Sequence, residues 1–340
     1  MTKGHLRGWL VGAAIGVVCL GVTLSKVNIG ESWKTLGHVK RNWVFVLAAI
    51  SVANLALRGW RWQRIIPSRS RPDLWRCVRV LAIGTMGNNL LPARAGDLAR
   101  CTLIGRKLSA KESSEALATL GVEKIMDGLG LVSIVLYSLW ILAPPRWLWQ
   151  LGAVGGLIFG SALLLLLALR FWVNDVAATI AALGTHLKLP GLASNVIGLL
   201  RSFASALREI NTGWQVTSLV AMTAAIWFTE AVLVWIVASS VNVPVTATIA
   251  VVVSAVIGLG FMIPAAPAGL GTYEAFGVAA FKLVGIAASK GLAVTLLIHG
   301  WVFLSNSALG FLSLATVGWS FSQLRRREDV GETLRGRATL

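Results

Sequence analysis

Two long apolar stretches of this chain are each interrupted by proline and glycine, and few folds tolerate such interruptions. The first reads Asn88-Asn89-Leu90-Leu91-Pro92-Ala93-Arg94-Ala95-Gly96-Asp97. The second runs from Phe261 through Pro264, Pro267, Gly269 and Gly271 to Tyr273 and Glu274. Proline has no N–H to donate and its ring crowds the preceding turn, so the helical ladder stops there. In hydrocarbon, each backbone group freed in this way is costly unless protein or a wet cavity satisfies it. Broken helices at membrane depth therefore mark the place where a transporter keeps its substrate. Pro92 and Pro264 lie half a chain apart, the spacing of an internal duplication.

The rest of the sequence places these breaks in a membrane. Hydrophobic residues make up 56% of the 340, charged residues only 13%, and the mean hydropathy is +0.74. A soluble domain carries about a quarter charged residues, so this is a polytopic membrane protein. The net charge of +17, from 31 Lys and Arg against 14 Asp and Glu, sits beside apolar spans. It reads as topology and attraction to anionic headgroups, with no nucleic acid partner expected. The 15 Trp suit interfacial anchoring. Cys19, Cys77 and Cys101 have neither metal-ligand nor pairing spacing, and neither metal nor cofactor is expected. The apolar run after Lys3 and Arg7 lacks a small-x-small cleavage site, so it is read as a retained helix.

Six stretches are long and apolar enough for full spans: 8–24, 43–60, 115–142, 148–169, 215–239 and 291–319. The broken segments 76–107 and 244–283 either cross or turn back. Turning both back puts the great majority of flanking Lys and Arg on the cytoplasmic side, as the positive-inside rule prefers. The expected fold is all-α: six spans plus two re-entrant helical hairpins, arranged as an inverted repeat. Its halves are 1–142 and 143–320, followed by a basic tail at 321–340, with both termini cytoplasmic and the protein in the inner membrane. Residues 31–41 and 171–211 read as amphipathic surface helices, the latter divided at Pro190-Gly191.

Ionisable groups at membrane depth are functional candidates by default. In the first broken segment, Asp97 and Arg100 stand at i and i+3, and Arg94 precedes the resumed helix. A helix N-terminus plus a guanidinium suits a phosphate; a structural Arg–Asp pair closing the hairpin is the plainer alternative. The next helix opens with Ser109-x-x-Glu112, a capping box, and carries Glu123, Lys124 and Asp127. Glu123 and Asp127 share a face and Lys124 and Asp127 are i and i+3; the cluster suits partnering Arg94 or Arg100 or relaying protons, with an ion-paired helix end at headgroup level as the plainer alternative. Glu274 is expected to oppose Arg100 from the second segment, with Tyr273 and Asn89 nearby. Glu230 and His299 are candidates for proton coupling. Arg58 and Arg61 read as snorkelling anchors with headgroup contact as the other option.

The pattern Asn89-x-x-Pro92-x-Arg94-x-Gly96-Asp97-x-x-Arg100, then Glu123-Lys124-x-x-Asp127, then Pro264-x-x-Pro267-x-Gly269-x-Gly271-x-x-Glu274, resembles the lysylphosphatidylglycerol synthase transmembrane-region family of flippase-like proteins. The resemblance implies a lipid-translocating module. Two-part members carry a fused synthetase, which this sequence does not show, so aminoacyl-lipid production is not expected of it. Stand-alone relatives are associated with envelope glycolipids, polyprenyl-phosphate-linked sugars or hopanoids. The implied partner is a membrane lipid: an anionic phospholipid, a polyprenyl-phosphate glycolipid or a hopanoid-type lipid. A homodimer or an envelope-lipid biosynthesis enzyme is a further partner to consider. No P-loop, HExxH or GxSxG motif is present, so no catalytic residues are assigned. The rival readings are a membrane enzyme acting on lipid-linked phosphates, with Glu123 and Asp127 as acid and base, and an accessory subunit of a synthase.

Overall fold

The computed structural model describes residues 3–37, 41–68, 71–91, 94–104, 110–141, 145–208, 210, 212–263 and 266–317. Side chains are described over the same ranges except 3–12, 41, 110–114 and 317. Pro92, Pro264, Ser109, the Glu112 side chain and the tail 321–340 lie outside the described residues.

Among the described residues the regular structure is entirely helical. The helices are α1 (Lys3–Leu24), α2 (Ile29–Leu36), α3 (Val44–Ile65), α4 (Leu74–Leu90), α5 (Ala95–Leu103) and α6 (Ala110–Ile141). They continue with α7 (Arg146–His186), α8 (Pro190–Arg208), α9 (Gly213–Ser240), α10 (Ala247–Met262), α11 (Thr272–Leu283) and α12 (Ala288–Val317). Short polar residues start several of them. Asp73 accepts from the Arg76 N–H at 2.9 Å, and Thr212 and Gln215 cap α9 reciprocally at 3.2 Å. Helices α3, α6, α7, α9 and α12 are long and apolar enough to cross a membrane. The stretch Ala13–Leu24 of α1 and α2 together are also long and apolar enough, across a 91° bend. The chain is an all-α polytopic membrane protein.

The stretch 148–169 was expected to end before separate surface helices over 171–211. Helix α7 has a kink at Trp172, whose φ of −112° and ψ of 18° are non-helical, so two helices meet there beside the expected boundary. At 1.5 Å per residue the part before the kink is about 39 Å long, enough for the roughly 30 Å hydrocarbon core. The part after the kink ends at His186. There α8, opened by Pro190, folds back on α7 and lies on α6.

The broken segments each form a pair of short helices. Gly87 of α4 faces Gly96 of α5, while Gly84 faces both Gly96 and Arg100, so α5 lies antiparallel on α4. A β-carbon on Gly96 would strike the backbone of Gly84 and Asn88, so only glycine allows this approach. Helices α10 and α11 pack together in the same way, with Phe276 against Gly260. With 17 and 9 residues in one pair and 16 and 12 in the other, no single member spans the hydrocarbon core at 1.5 Å per residue.

The packing is nearly unchanged when α1–α6 and α7–α12 exchange places. The contact of α4 with α12 has its counterpart in α10 on α6, and that of α3 with α4 in α9 on α10. Likewise α2 on α12 matches α8 on α6, α5 on α6 matches α11 on α12, and α3 meets α9 directly. Helices α1 and α7 depart from the pattern: α1 lies on α11, and α7 on α6 and α8. This arrangement surrounds the centre of the molecule with the two breaks.

Candidate functional site

Between the two hairpins and α3, α6 and α9 lies a cavity of ≈ 210 Å³. Apolar side chains such as Leu81, Val234, Ile257, Phe261 and Ile298 share its wall with eight charged ones. Those are Arg58, Arg94, Asp97, Arg100, Glu123, Lys124, Asp127 and Glu230. Charges at this depth must find partners, and most of them do so between helices.

Helix α6 brings Glu123, Lys124 and Asp127 to the cavity on successive turns, and α5 answers from the first hairpin. Arg100, 1% exposed, places Nη1 3.1 Å from Glu123 Oε2 and Nε 3.5 Å from Asp97 Oδ1. Its nitrogens meet these carboxylates as ion pairs rather than aligned hydrogen bonds. The Arg100 guanidinium also lies 4.9 Å from the centroid of Trp62, the range of a cation–π contact. Lys124 was expected to neutralise Asp127 on its own helix. It reaches instead to Asp97 Oδ2 at 3.5 Å, because Asp127 is taken by α3. Arg61 Nη1 stands 2.7 Å from Asp127 Oδ1, and Arg58 Nη1 3.7 Å from Oδ2.

Arg61 and Arg58 are therefore not the snorkelling anchors expected from the sequence. Arg61 is 0% exposed and donates also to Thr223 Oγ1 of α9. Arg58 lies inside the cavity and donates to Glu230 Oε1 at 3.2 Å and Asn54 Oδ1 at 2.8 Å. Asn54 in turn donates to Thr229 Oγ1 and Glu230 Oε1, tying α3 to α9 through polar groups. The i, i+4, i+7 run of Asn54, Arg58 and Arg61 along one face of an apolar helix was the available signal.

Arg94 differs from the other cavity arginines. It takes the left-handed conformation at the start of α5 (φ 53°, ψ 38°), costly for a residue with a β-carbon. Its guanidinium donates to the backbone carbonyl of Phe261 in the second hairpin and lies 5.3 Å from that ring's centroid. Among the described residues no carboxylate lies within ion-pair distance of it. The N-terminus of α5 beside it is partly occupied, since Asp97 N–H donates to Asn88 Oδ1 at 3.0 Å.

The second break lines the cavity with Pro267, Ala268, Gly269 and Tyr273. Ala268 (φ 55°), Gly269 (φ 76°) and Gly271 (φ 86°) are all left-handed, and Gly271 sits against Gly16 of α1 too closely for a side chain. Glu274 was expected to oppose Arg100 across the site. It is turned inward, 2% exposed: Oε2 accepts from Gly271 N–H at 2.7 Å, and Oε1 lies 2.6 Å from His299 Nδ1. A carboxylate three residues into a helix closes that helix's first turn, and this local bond wins over a distant arginine. The group that joins the hairpins is Arg94. Asn89 also lies outside the cavity wall, holding α4 to α12 through Phe303 O and Ser307 Oγ. Among the described residues no three His, Cys, Asp or Glu side chains converge as metal ligands.

No curated protein matches the chain. The profile of the lysylphosphatidylglycerol synthase TM region matches residues 9–310, a span that includes both breaks, the arginines of α3 and α5 and the acidic face of α6. The chain belongs to the family of the lysylphosphatidylglycerol synthase TM region.

Proposed function

We propose that this protein moves a phosphate-bearing lipid across the cytoplasmic membrane. Its family is one of membrane proteins related to lipid handling. In this reading the lipid phosphate enters the central cavity and takes Arg94, while the chains stay in the bilayer. The observation that carries the reading is the state of Arg94. Arg58, Arg100 and Lys124 are each committed to carboxylates, whereas Arg94 holds a backbone carbonyl. A phosphate offers that guanidinium a charged, bidentate partner in place of a neutral one. The volume of the cavity suits a headgroup rather than a whole lipid, since sites for drug-sized ligands start at about 300 Å³.

The neighbouring ion pairs have a role in this scheme. Asp97, Glu123 and Asp127 hold the remaining cations in place, so the anion meets a fixed, nearly balanced field rather than a cluster of bare positive charge. The two hairpins enter from opposite faces, both termini lie in the cytoplasm, and rocking of one half against the other exposes the cavity to each side in turn. The exchange symmetry of the helix packing supports this alternating arrangement.

Native mass spectrometry of the purified protein tests the phosphate site. Wild type is expected to retain a phosphate-bearing lipid that Arg94→Ala loses. Equal amounts of the same bulk lipids in both samples would contradict the assignment.

A further inference from the structure

A buried titratable pair that the lipid site does not use joins the second hairpin to α12. Glu274 and His299 are 2% and 7% exposed and lie 2.6 Å apart. The other imidazole nitrogen, Nε2, is 3.0 Å from the carbonyl oxygen of Ala268. A carbonyl oxygen only accepts, so Nε2 carries a proton. At 2.6 Å, Nδ1 and the Glu274 carboxyl must share another, because two lone pairs would repel. The arrangement thus holds two protons and no net charge.

What these protons hold is the break itself. Ala268 is left-handed without being glycine, a conformation that persists only where its surroundings fix it. His299 fixes it at the carbonyl, and Glu274 fixes the other end at Gly271 N–H. From there contacts run without a gap to the phosphate arginine. Tyr273 stacks on His299 with ring centroids 4.3 Å apart. Phe261 meets Tyr273 edge-on at 6.0 Å, and Arg94 holds the Phe261 carbonyl.

We propose that Glu274 and His299 form a proton-binding latch on the second break, coupled through Tyr273 and Phe261 to Arg94, so that binding of a lipid phosphate releases a proton. The proposal rests on the reading of Arg94 as the phosphate ligand. The sign follows from the contacts: the proton-loaded latch and the Arg94–Phe261 bond belong to one conformation. A ligand that draws Arg94 away selects against that conformation and so against its proton. When the Ala268 carbonyl turns away, the Nε2 proton loses its acceptor and leaves to the cavity, which Ala268 lines. The imidazole then keeps its Nδ1 proton on the Glu274 carboxylate, and the pair changes from neutral to a single negative charge.

The surroundings leave this titration to the pair. Among the described residues, His299 is the one cation within ion-pair distance of Glu274. On α11 Tyr273 covers the imidazole face; from α9 Glu230 shares the cavity wall with Tyr273 and is itself paired with Arg58. No ion pair reaches Glu274 or His299 from α1, α2, α3, α4 or α10 among the described residues.

Calorimetric titration of the full chain in detergent with dihexanoylphosphatidylglycerol, run in two buffers of different ionisation enthalpy, counts protons exchanged on binding. Dimethyl phosphate, run alongside, separates the lipid from its bare phosphate group. The expected result for wild type is release of about one proton per lipid, with affinity rising up to tenfold per pH unit where the pair titrates. His299→Gln and Glu274→Gln, whose amides keep hydrogen bonds at the break, are each expected to cut the release to near zero whatever their affinity. Proton uptake, no exchange, or unchanged release in a correctly folded His299→Gln protein would overturn the latch while leaving the lipid site standing. Release with dimethyl phosphate as large as with the lipid makes the ligand free phosphate and overturns lipid coupling. Absence of any binding overturns latch and lipid site together.

Discussion

Arg61 and Arg94 are both arginines at membrane depth, and their surroundings assign them opposite work. Arg61 is fully buried on Asp127 and Thr223. Removing one member of such a pair strands the other, which costs about 3–5 kcal/mol. Arg61→Ala and Asp127→Ala are thus expected to lower the unfolding midpoint steeply, and the double substitution Arg61→Met with Asp127→Leu to recover most of the loss. Thermal unfolding followed by tryptophan fluorescence checks this. Arg94→Ala gives up a neutral carbonyl and a ring face and is expected to cost no more than about 1 kcal/mol. Its effect belongs to lipid retention. In the sequence these residues could be located but not ranked. Arg94, Asp97 and Arg100 stood out as charges next to a break and Glu123, Lys124 and Asp127 as a cluster on the next helix, and all six line one cavity. Arg58 and Arg61 were misread because position near a helix end says nothing of an acid arriving from another helix.

The elements owe their geometry to a few backbone positions. Gly96 lets α5 lie on α4, and a side chain there meets backbone, which cannot swing aside. Gly96→Val is expected to prevent closure of the first hairpin, seen as loss of the monodisperse peak in fluorescence-detected size exclusion. Ala268 is the converse case. Its left-handed φ of 55° costs about 1–2 kcal/mol that glycine does not incur. Ala268→Gly is expected to stabilise the protein by up to about 1 kcal/mol, read as a rise in thermal midpoint. The existence of two broken helices followed directly from proline and glycine in apolar sequence. The kink of α7 at Trp172 likewise falls where the apolar run meets Arg170 and Asp175, beside the boundary expected there.

At the scale of the molecule, two sets of helices close around one cavity, and the packing survives their exchange. That relation was visible in the sequence only as the spacing of the breaks, since the residues of the two hairpins differ: Arg94 and Asp97 on one side, Ala268 and Glu274 on the other. Positive φ precedes the second helix of each pair, at Arg94 before α5 and at Gly271 before α11. The orientation adopted here makes a clear demand. A cysteine replacing Ser194 on α8, an exposed position, is expected to react with an impermeant maleimide only from the cytoplasmic face, in vesicles of both orientations.

Transbilayer movement of lipid in proteoliposomes tests the central claim most directly. With a fluorescently labelled short-chain phosphatidylglycerol in one leaflet and dithionite as quencher, wild type is expected to move label across faster than protein-free vesicles, and Arg94→Ala no faster than those vesicles. Equal rates for wild type, Arg94→Ala and empty vesicles would contradict it.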